Sequence, residues 1–181
     1  MKAEDHVAGL MRSLGIEPSG DLAETPSRVA RAFAEMTAGY RMNPAEILSK
    51  TFDVACDELV LLRDIRFTSI CEHHLLPFVG VAHVGYIPGV RVVGLSKLAR
   101  LVSCFAMRAQ VQERLTRQIA DALVEHLSPR GVGVVVEAKH SCMGHRGAKQ
   151  PDATMTTSAM LGLLRESGEA RSEFLRLVGR A

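Results

Sequence analysis

Tryptophan is absent from this 181-residue chain, tyrosine occurs twice, and aromatic residues make up only 4% of it. A core here cannot rest on large rings. Val, Leu, Ile, Ala and Met must fill it, and the 47% hydrophobic content supplies enough of them. The formal net charge is only +2. That leaves no broad electrostatic footprint for nucleic acid, although local Arg and Lys clusters remain as sites for small anions. No apolar run is long enough to span a bilayer, and the opening MKAEDHVAGLMRSLGI is amphipathic and carries acids, which does not fit a signal peptide. Cysteine is sparse: Cys56, Cys71, Cys104 and Cys142, in a chain long enough to fold without disulfide staples. These absences point to a cytoplasmic protein with reduced thiols and neither membrane nor nucleic acid as partner. Clustered Cys and His then suggest metal. There is no internal repeat, and the length fits one core with a helical appendage.

What is present reads as α+β. Val7, Leu10, Met11 and Leu14 recur at helical spacing and Gly15 ends the run. A second helix is predicted from Thr25-Pro26, with Thr25 as N-cap and Val29, Ala30, Phe33 and Met36 on its apolar face. From Leu59 the pattern becomes strand-like, and Ile65, Phe67, Ser69 and Cys71 fall on one face. Further strands are predicted over 79–87, 90–95 and 132–139. Two helices lie between the last two, one from Ser96 and one over 110–127, and a closing helix covers 169–178. Strands, two helices and a strand again suggest a largely antiparallel sheet. The division expected is a helical segment over 1–50 followed by one catalytic domain over 51–181.

The run SICEHHLLPF sets a thiol, a carboxylate and two imidazoles inside a hydrophobic passage. Cys71 and His74 have C-x-x-H spacing, which on a tight turn lets both side chains converge on one ion. Alone that is a weak signal. The H-S-C of residues 140–142 strengthens it, because alternation from the preceding strand would put His140 and Cys142 on one face. Cys71, His74 and Cys142 make a Cys₂His donor set suited to Zn²⁺, with Fe²⁺ as the alternative, and three protein ligands leave a tetrahedral position open, as catalytic sites do. A structural site would need a fourth ligand, and His73 or His140 could serve. Cys104 reads instead as a small buried hydrophobe. His6, His83 and His126 read as surface or packing residues.

A second cluster lies at Ser96, Lys97 and Arg100, where a hydroxyl and two cations meet a helix start, a place whose N–H groups attract anions. Arg146 comes soon after the H-S-C element. Together they suit a polyphosphate, against the plainer reading of a solvated helix face. Glu113 either pairs with Arg108 or Arg117, or accepts hydrogen bonds from a planar amino-imino edge such as that of guanine.

SICEHHLLPFVGVAHVGYIP, VVGLSKLARLVSCFAMRAQVQERLTRQIADAL, VVVEAKHSCMGHRG, TMTTSAMLG and the earlier TPSRVARAFAEMTAGY together resemble GTP cyclohydrolase I, in order and spacing, over about residues 7–178. The resemblance implies the tunnelling fold, an antiparallel sheet with paired helices whose barrel forms by oligomerisation, and a homodecamer of two pentamers with active sites between subunits. It implies conversion of GTP and water to 7,8-dihydroneopterin triphosphate and formate, the first step of pterin and tetrahydrofolate synthesis. Position by position, it implies metal at Cys71, His74 and Cys142 and acid–base catalysis by His73 and His140. Gln112 and Glu113 would read guanine. Ser96, Lys97, Arg100 and Arg146 would hold triphosphate, with Arg28 and Arg31 as further phosphate contacts. Met107, Ala109, Ala148, Ala153 and Met155 depart from the family's usual residues without touching those positions. A non-catalytic zinc-stabilised guanine-nucleotide scaffold is the rival reading. The presence of both His73 and His140 beside a three-ligand site favours the enzyme.

Overall fold

A computed structural model describes residues 1–53 and 55–179. Three helices precede the first strand: α1 (Ala3–Ser13), α2 (Thr25–Met36) and α3 (Pro44–Leu48). Gly15, at φ 77, turns the chain out of α1. α2 starts one residue earlier than Thr25 as N-cap requires. Glu24 is the capping residue, because its carbonyl already accepts the first helical bond from Arg28 N at 3.0 Å. α3 escaped the sequence reading, although Asn43-Pro44 announces it: the Asn43 side chain accepts from Ala45 N at 3.0 Å and Pro44 opens the helix.

The remainder runs β1 (Thr51–Phe52), β2 (Val60–Cys71), β3 (Pro77–Ile87), β4 (Val92–Val93), α4 (Leu95–Ala106), β5 (Ala109–Gln110), α5 (Gln112–Leu127), β6 (Gly131–His140), α6 (Ser141–Gly144), β7 (Met155–Gly162), α7 (Leu163–Glu166) and α8 (Gly168–Val178). The main sheet has the order β5-β2-β3-β6-β7, antiparallel throughout except that β5 runs parallel to β2. The α+β expectation holds. The strand expected over 90–95 shrinks to β4, which pairs only with β1 in a separate two-stranded sheet. The helix expected from 110 begins at Gln112, because Ala109 and Gln110 pair with Ile70 and Cys71. β7 was not foreseen: its run of Thr and Ser reads as loop, and Met160 is the one buried residue of its eight.

α4 and α5 lie on one face of the sheet. Leu98, Leu101 and Val102 meet Leu115, Ile119, Leu123 and the inward residues Phe78, Val84, Tyr86, Val134 and Val136, all fully buried. The helical spacing of Leu98, Leu101, Val102 and Phe105, and of Val111, Leu115, Ile119 and Leu123 or Ala122, predicts these two apolar faces from the sequence. Tyr86, one of the two tyrosines, keeps its hydroxyl satisfied by accepting from Val93 N at 2.9 Å. The opposite face is partly covered by α8, where the Phe174 ring sits on the facing pair Gly85 and Gly133; a Cβ on either would come within 2.9 Å of that ring. The apolar face expected for α2 is only half-buried: Val29, Ala30 and Met36 are partly covered, Phe33 is exposed, and Pro26 is the one buried residue of the helix. Two sheet edges are open. β5 covers only the end of β2, and β7 has no outer partner among the described residues. No helix of the described residues is long and apolar enough to cross a membrane.

Candidate metal and substrate site

β2 delivers Cys71 at its last position. The chain then turns tightly: His74 N and Leu75 N donate to Cys71 O at 3.3 and 2.8 Å, Leu75 takes φ 54, and Cys71 N donates to Leu76 O at 2.8 Å. This closure folds His74 back over Cys71, setting Sγ and Nδ1 3.6 Å apart. Cys142 comes from the far side. β6 ends at His140, and Ser141–Gly144 forms one helical turn, so Cys142 enters by that turn and not by strand alternation as the sequence suggested. The three donor atoms lie within 4.8 Å of one another.

The donor set fits a tetrahedral metal. Zn–S bonds of about 2.3 Å and Zn–N bonds of about 2.0 Å require S···N edges of roughly 3.5 Å and S···S edges of roughly 3.8 Å; the Cys71–His74 edge of 3.6 Å meets the first, and all three atoms lie within 4.8 Å. Cys71 is buried, Cys142 half-buried and His74 exposed, so one side of the trio faces outward. Burial, together with a bond from Cys71 and its charge, pushes the Cys142 thiol up, while Arg146 draws it down. A cation between the two sulfurs would offset that cost by favouring both thiolates.

His140 stacks on Phe78 with ring centres 4.4 Å apart and 7° between planes. Its Nε2 lies 2.8 Å from Gln112 Oε1. Gln112 itself is buried, and its Nε2 donates to Val136 O (3.0 Å), Met155 O (2.9 Å) and Thr157 Oγ1 (3.2 Å). Backbone carbonyls only accept, so they fix which way the amide faces: Oε1 must point at His140, and His140 Nε2 must carry the hydrogen. The neutral imidazole therefore keeps its lone pair on Nδ1. Burial pushes His140 below the usual imidazole range, and the Glu113 carboxylate partly opposes this. His73, by contrast, is exposed, with its ring edge-to-face to His74 at 6.3 Å.

Glu113 has neither of the arginine partners considered for it. Arg117 holds both oxygens of Asp121 at 2.8 Å, and Arg108 donates to Gly39 O and Cys104 O at 3.1 and 2.8 Å. Glu113 instead lines a cavity of about 450 Å³ with Thr116, Thr157, Arg165 and Arg171. Thr157, joined to Thr116 by a 2.7 Å hydroxyl bond, was missed in the sequence, where its only signal is membership of the TMTTS run.

The model of the family described as GTP cyclohydrolase I matches residues 3–179. The chain belongs to the GTP cyclohydrolase I family. Proteins named GTP cyclohydrolase 1 from Thermobifida fusca and Mycolicibacterium paratuberculosis are 53% and 56% identical to it over 180 residues, spanning 98% of this chain and 87% and 88% of theirs. A solved structure of the archaeosine synthase QueF-Like in the apo form aligns with 57% of this chain and 93% of its own at 20% identity and a TM-score of 0.48, too loose a likeness to carry an argument. As a member of the GTP cyclohydrolase I family the chain is a hydrolase.

In this family member the remaining sequence candidates do not all gather at the metal trio. Arg146 does, just after α6. Ser96, Lys97 and Arg100 stand at the start of α4, directly after β4, and Val93 of β4 is tied to Tyr86 near the end of β3. Cys71 and His140 flank the other end of that strand, beside Pro77 and Phe78. An eleven-residue strand spans about 30 Å. One chain thus holds the metal trio and the Lys97 cluster at opposite ends of its sheet. Arg28 pairs with Glu24 at 2.7 Å and Arg31 leans on Ser27 at 3.4 Å, both exposed on α2.

Proposed function

We propose that the chain converts GTP and water to 7,8-dihydroneopterin triphosphate and formate, with Zn²⁺ (or Fe²⁺ in its place) held by Cys71, His74 and Cys142. The observation that carries this reading is the preformed Cys₂His set with His140 locked in one tautomer beside it. A metal bound there supplies Lewis-acid character and makes water nucleophilic near neutral pH.

The chain's own residues do the rest. His140, whose charged form burial disfavours, exchanges a proton at Nδ1, the nitrogen Gln112 leaves free, and His73 supplies a second imidazole from the open side. Opening of the purine imidazole, loss of formate and rearrangement of the ribose each move protons, and two imidazoles on different elements can serve opposite faces of the ring. Glu113, uncommitted to either neighbouring arginine, accepts from the amino-imino edge of guanine at the mouth of its cavity. Gln112 acts on guanine only indirectly, by holding His140. Arg146 binds phosphate beside the metal.

Ser96, Lys97 and Arg100 complete the triphosphate site from a second copy of the chain. With these residues about 30 Å from the trio along the sheet, a triphosphate bound near Cys142 reaches them only in a neighbouring molecule. The two open sheet edges suit ring closure into a tunnelling-fold barrel, and α2, with its half-buried apolar face and with Arg28 and Arg31 exposed on another part of its surface, suits face-to-face assembly. The assembly proposed is a homodecamer of two pentamers in the cytoplasm, where Cys71 and Cys142 stay reduced. The test is incubation of zinc-loaded protein with GTP, measuring formate and the fluorescent oxidised pterin. GTP bound but unchanged would replace this reading with the scaffold.

A further inference from the structure

Glu72 is the member of the CEHH run that neither ligation nor proton transfer explains. It ends a chain of side chains that starts deep in the fold. Gln110 is 2% exposed, and its Nε2 donates to Phe105 O at 2.9 Å and Gln118 Oε1 at 2.8 Å. Phe105 O can only accept, so the Gln110 amide has one orientation and its Oε1 faces α5. There it takes the Nε–H of Arg114 at 3.1 Å. With Nε seated, the planar guanidinium aims Nη2 at Glu72 Oε2, which it meets in a close charge-assisted hydrogen bond. The other carboxylate oxygen, Oε1, lies 3.8 Å from His73 Nε2, within ion-pair range and beyond a direct hydrogen bond. The backbone takes the same path, since Glu72 N donates to Gln110 O at 3.0 Å.

The metal ligands on either side are held otherwise. Cys71 and His74 are fixed by the turn's own bonds to Leu76 O and Cys71 O. No such backbone bond sets the His73 ring, which is 64% exposed in the side chain. The Glu72 carboxylate is its charged neighbour in the run. The pair itself contributes little to stability: Arg114 and Glu72 side chains are 43% and 33% exposed, and solvent screens an ion pair that wet. Its placement, anchored through the buried Gln110 and ending beside His73, therefore points to a use other than holding the fold.

We infer that Arg114, seated by Gln110, is a positioning residue. It fixes the Glu72 carboxylate, which holds the His73 imidazole in the attitude its proton transfer needs. This rests on the acid–base role proposed for His73. The test compares wild type, Arg114→Ala and Arg114→Lys, each also in a His73→Ala background, in the full zinc-loaded chain. The readouts are kcat, KM for GTP, zinc per chain, melting temperature and histidine-ring ¹³C NMR. Misplacement of a reacting group by about 1 Å costs on the order of 10²-fold, so Arg114→Ala should lower kcat about 10- to 100-fold. KM and zinc content should hold, and the His73 resonance should move while that of His140 stays. Arg114→Lys should rescue little, because one ammonium cannot serve Gln110 and Glu72 in the fork's geometry. In the His73→Ala background, adding Arg114→Ala should change kcat no further. An undiminished effect there, loss of zinc or melting temperature in step with activity, an unchanged kcat, or an unmoved His73 resonance would each overturn the inference. Absence of formate from wild type would instead sink the GTP reading, and the NMR comparison would still decide whether Arg114 positions His73.

Discussion

Replacing Gln112 by Leu keeps the side chain's volume and removes its polarity. The amide feeds hydrogens to Val136 O, Met155 O and Thr157 Oγ1 and accepts from His140 Nε2, all in a buried setting. Thr157 keeps its bond to Thr116. The two carbonyls and the His140 N–H lose a partner each. A buried polar group left without a partner costs about 1–3 kcal/mol and strand carbonyls have a second lone pair, so a net loss of roughly 2–3 kcal/mol is expected. For a chain of this length that lowers the melting temperature by about 5–10 °C. The functional loss should be larger. Freed from Oε1, the His140 ring can turn on Phe78 and carry its hydrogen on either nitrogen. The turnover lost should approach the roughly 10²–10⁴-fold that a positioned acid or base contributes. KM for GTP should stay close to the wild-type value, because the amide does not reach outward to the substrate. Steady-state formate release across GTP concentrations, beside a thermal melt, measures both. A variant with normal kcat and a strongly raised KM would show that Gln112 reads guanine directly and that the inward amide is not its working position.

Three further outcomes are expected. Cys142→Ala should release the metal, while His140→Ala should retain it and lose turnover; zinc per chain by atomic absorption separates these, and intact zinc in Cys142→Ala would remove that thiol from the ligand set. Cys142→Ala and Lys97→Ala, each inactive alone, should regain activity when dissociated and reassembled together, up to about a quarter of sites by random pairing of copies. No recovery would place the whole site in one chain. Tyr86 is raised above its ordinary value chiefly by burial, against the Val93 hydrogen bond and with a further push from Cys56. Its folded pKa exceeds its unfolded value, so the stability it contributes is complete below pH about 10 and is lost as pH climbs through the folded value. Tyr86→Phe should therefore cost about 1–2 kcal/mol at neutral pH by orphaning Val93 N–H, with the gap to wild type narrowing in alkaline melts. A constant gap would refute it.

The legible parts of the sequence were those set by period and spacing. Alternation at Ile65, Phe67 and Ser69 and the faces of α4 and α5 are consequences of burial against one layer, and they read directly. The trio of Cys71, His74 and Cys142 read correctly as a group, although the route to Cys142 did not, because a strand's alternation cannot announce that the strand stops at His140. Gln110, Gln112, Arg114 and Thr157 were opaque for a different reason. Their roles depend on which carbonyl or amide faces them from another element, and that is decided by register between strands rather than by neighbours along the chain. β7 was missed because it is an edge strand with only Met160 of its eight residues buried, so its Thr and Ser run leaves no hydrophobic alternation to read.

The junction at His140 also bears on how such a chain can change over generations. A residue inserted or deleted within β6 would turn every later side chain of the strand to the opposite face of the sheet, carrying His140 away from Phe78 and Gln112. A length change after Arg146 meets no such penalty, since His140, Cys142 and Arg146 are already placed and the exposed residues 147–154 only have to rejoin β7. Drift in length, and with it new contacts to substrate or neighbour, is therefore expected to collect in that loop while the ten residues of β6 keep their count.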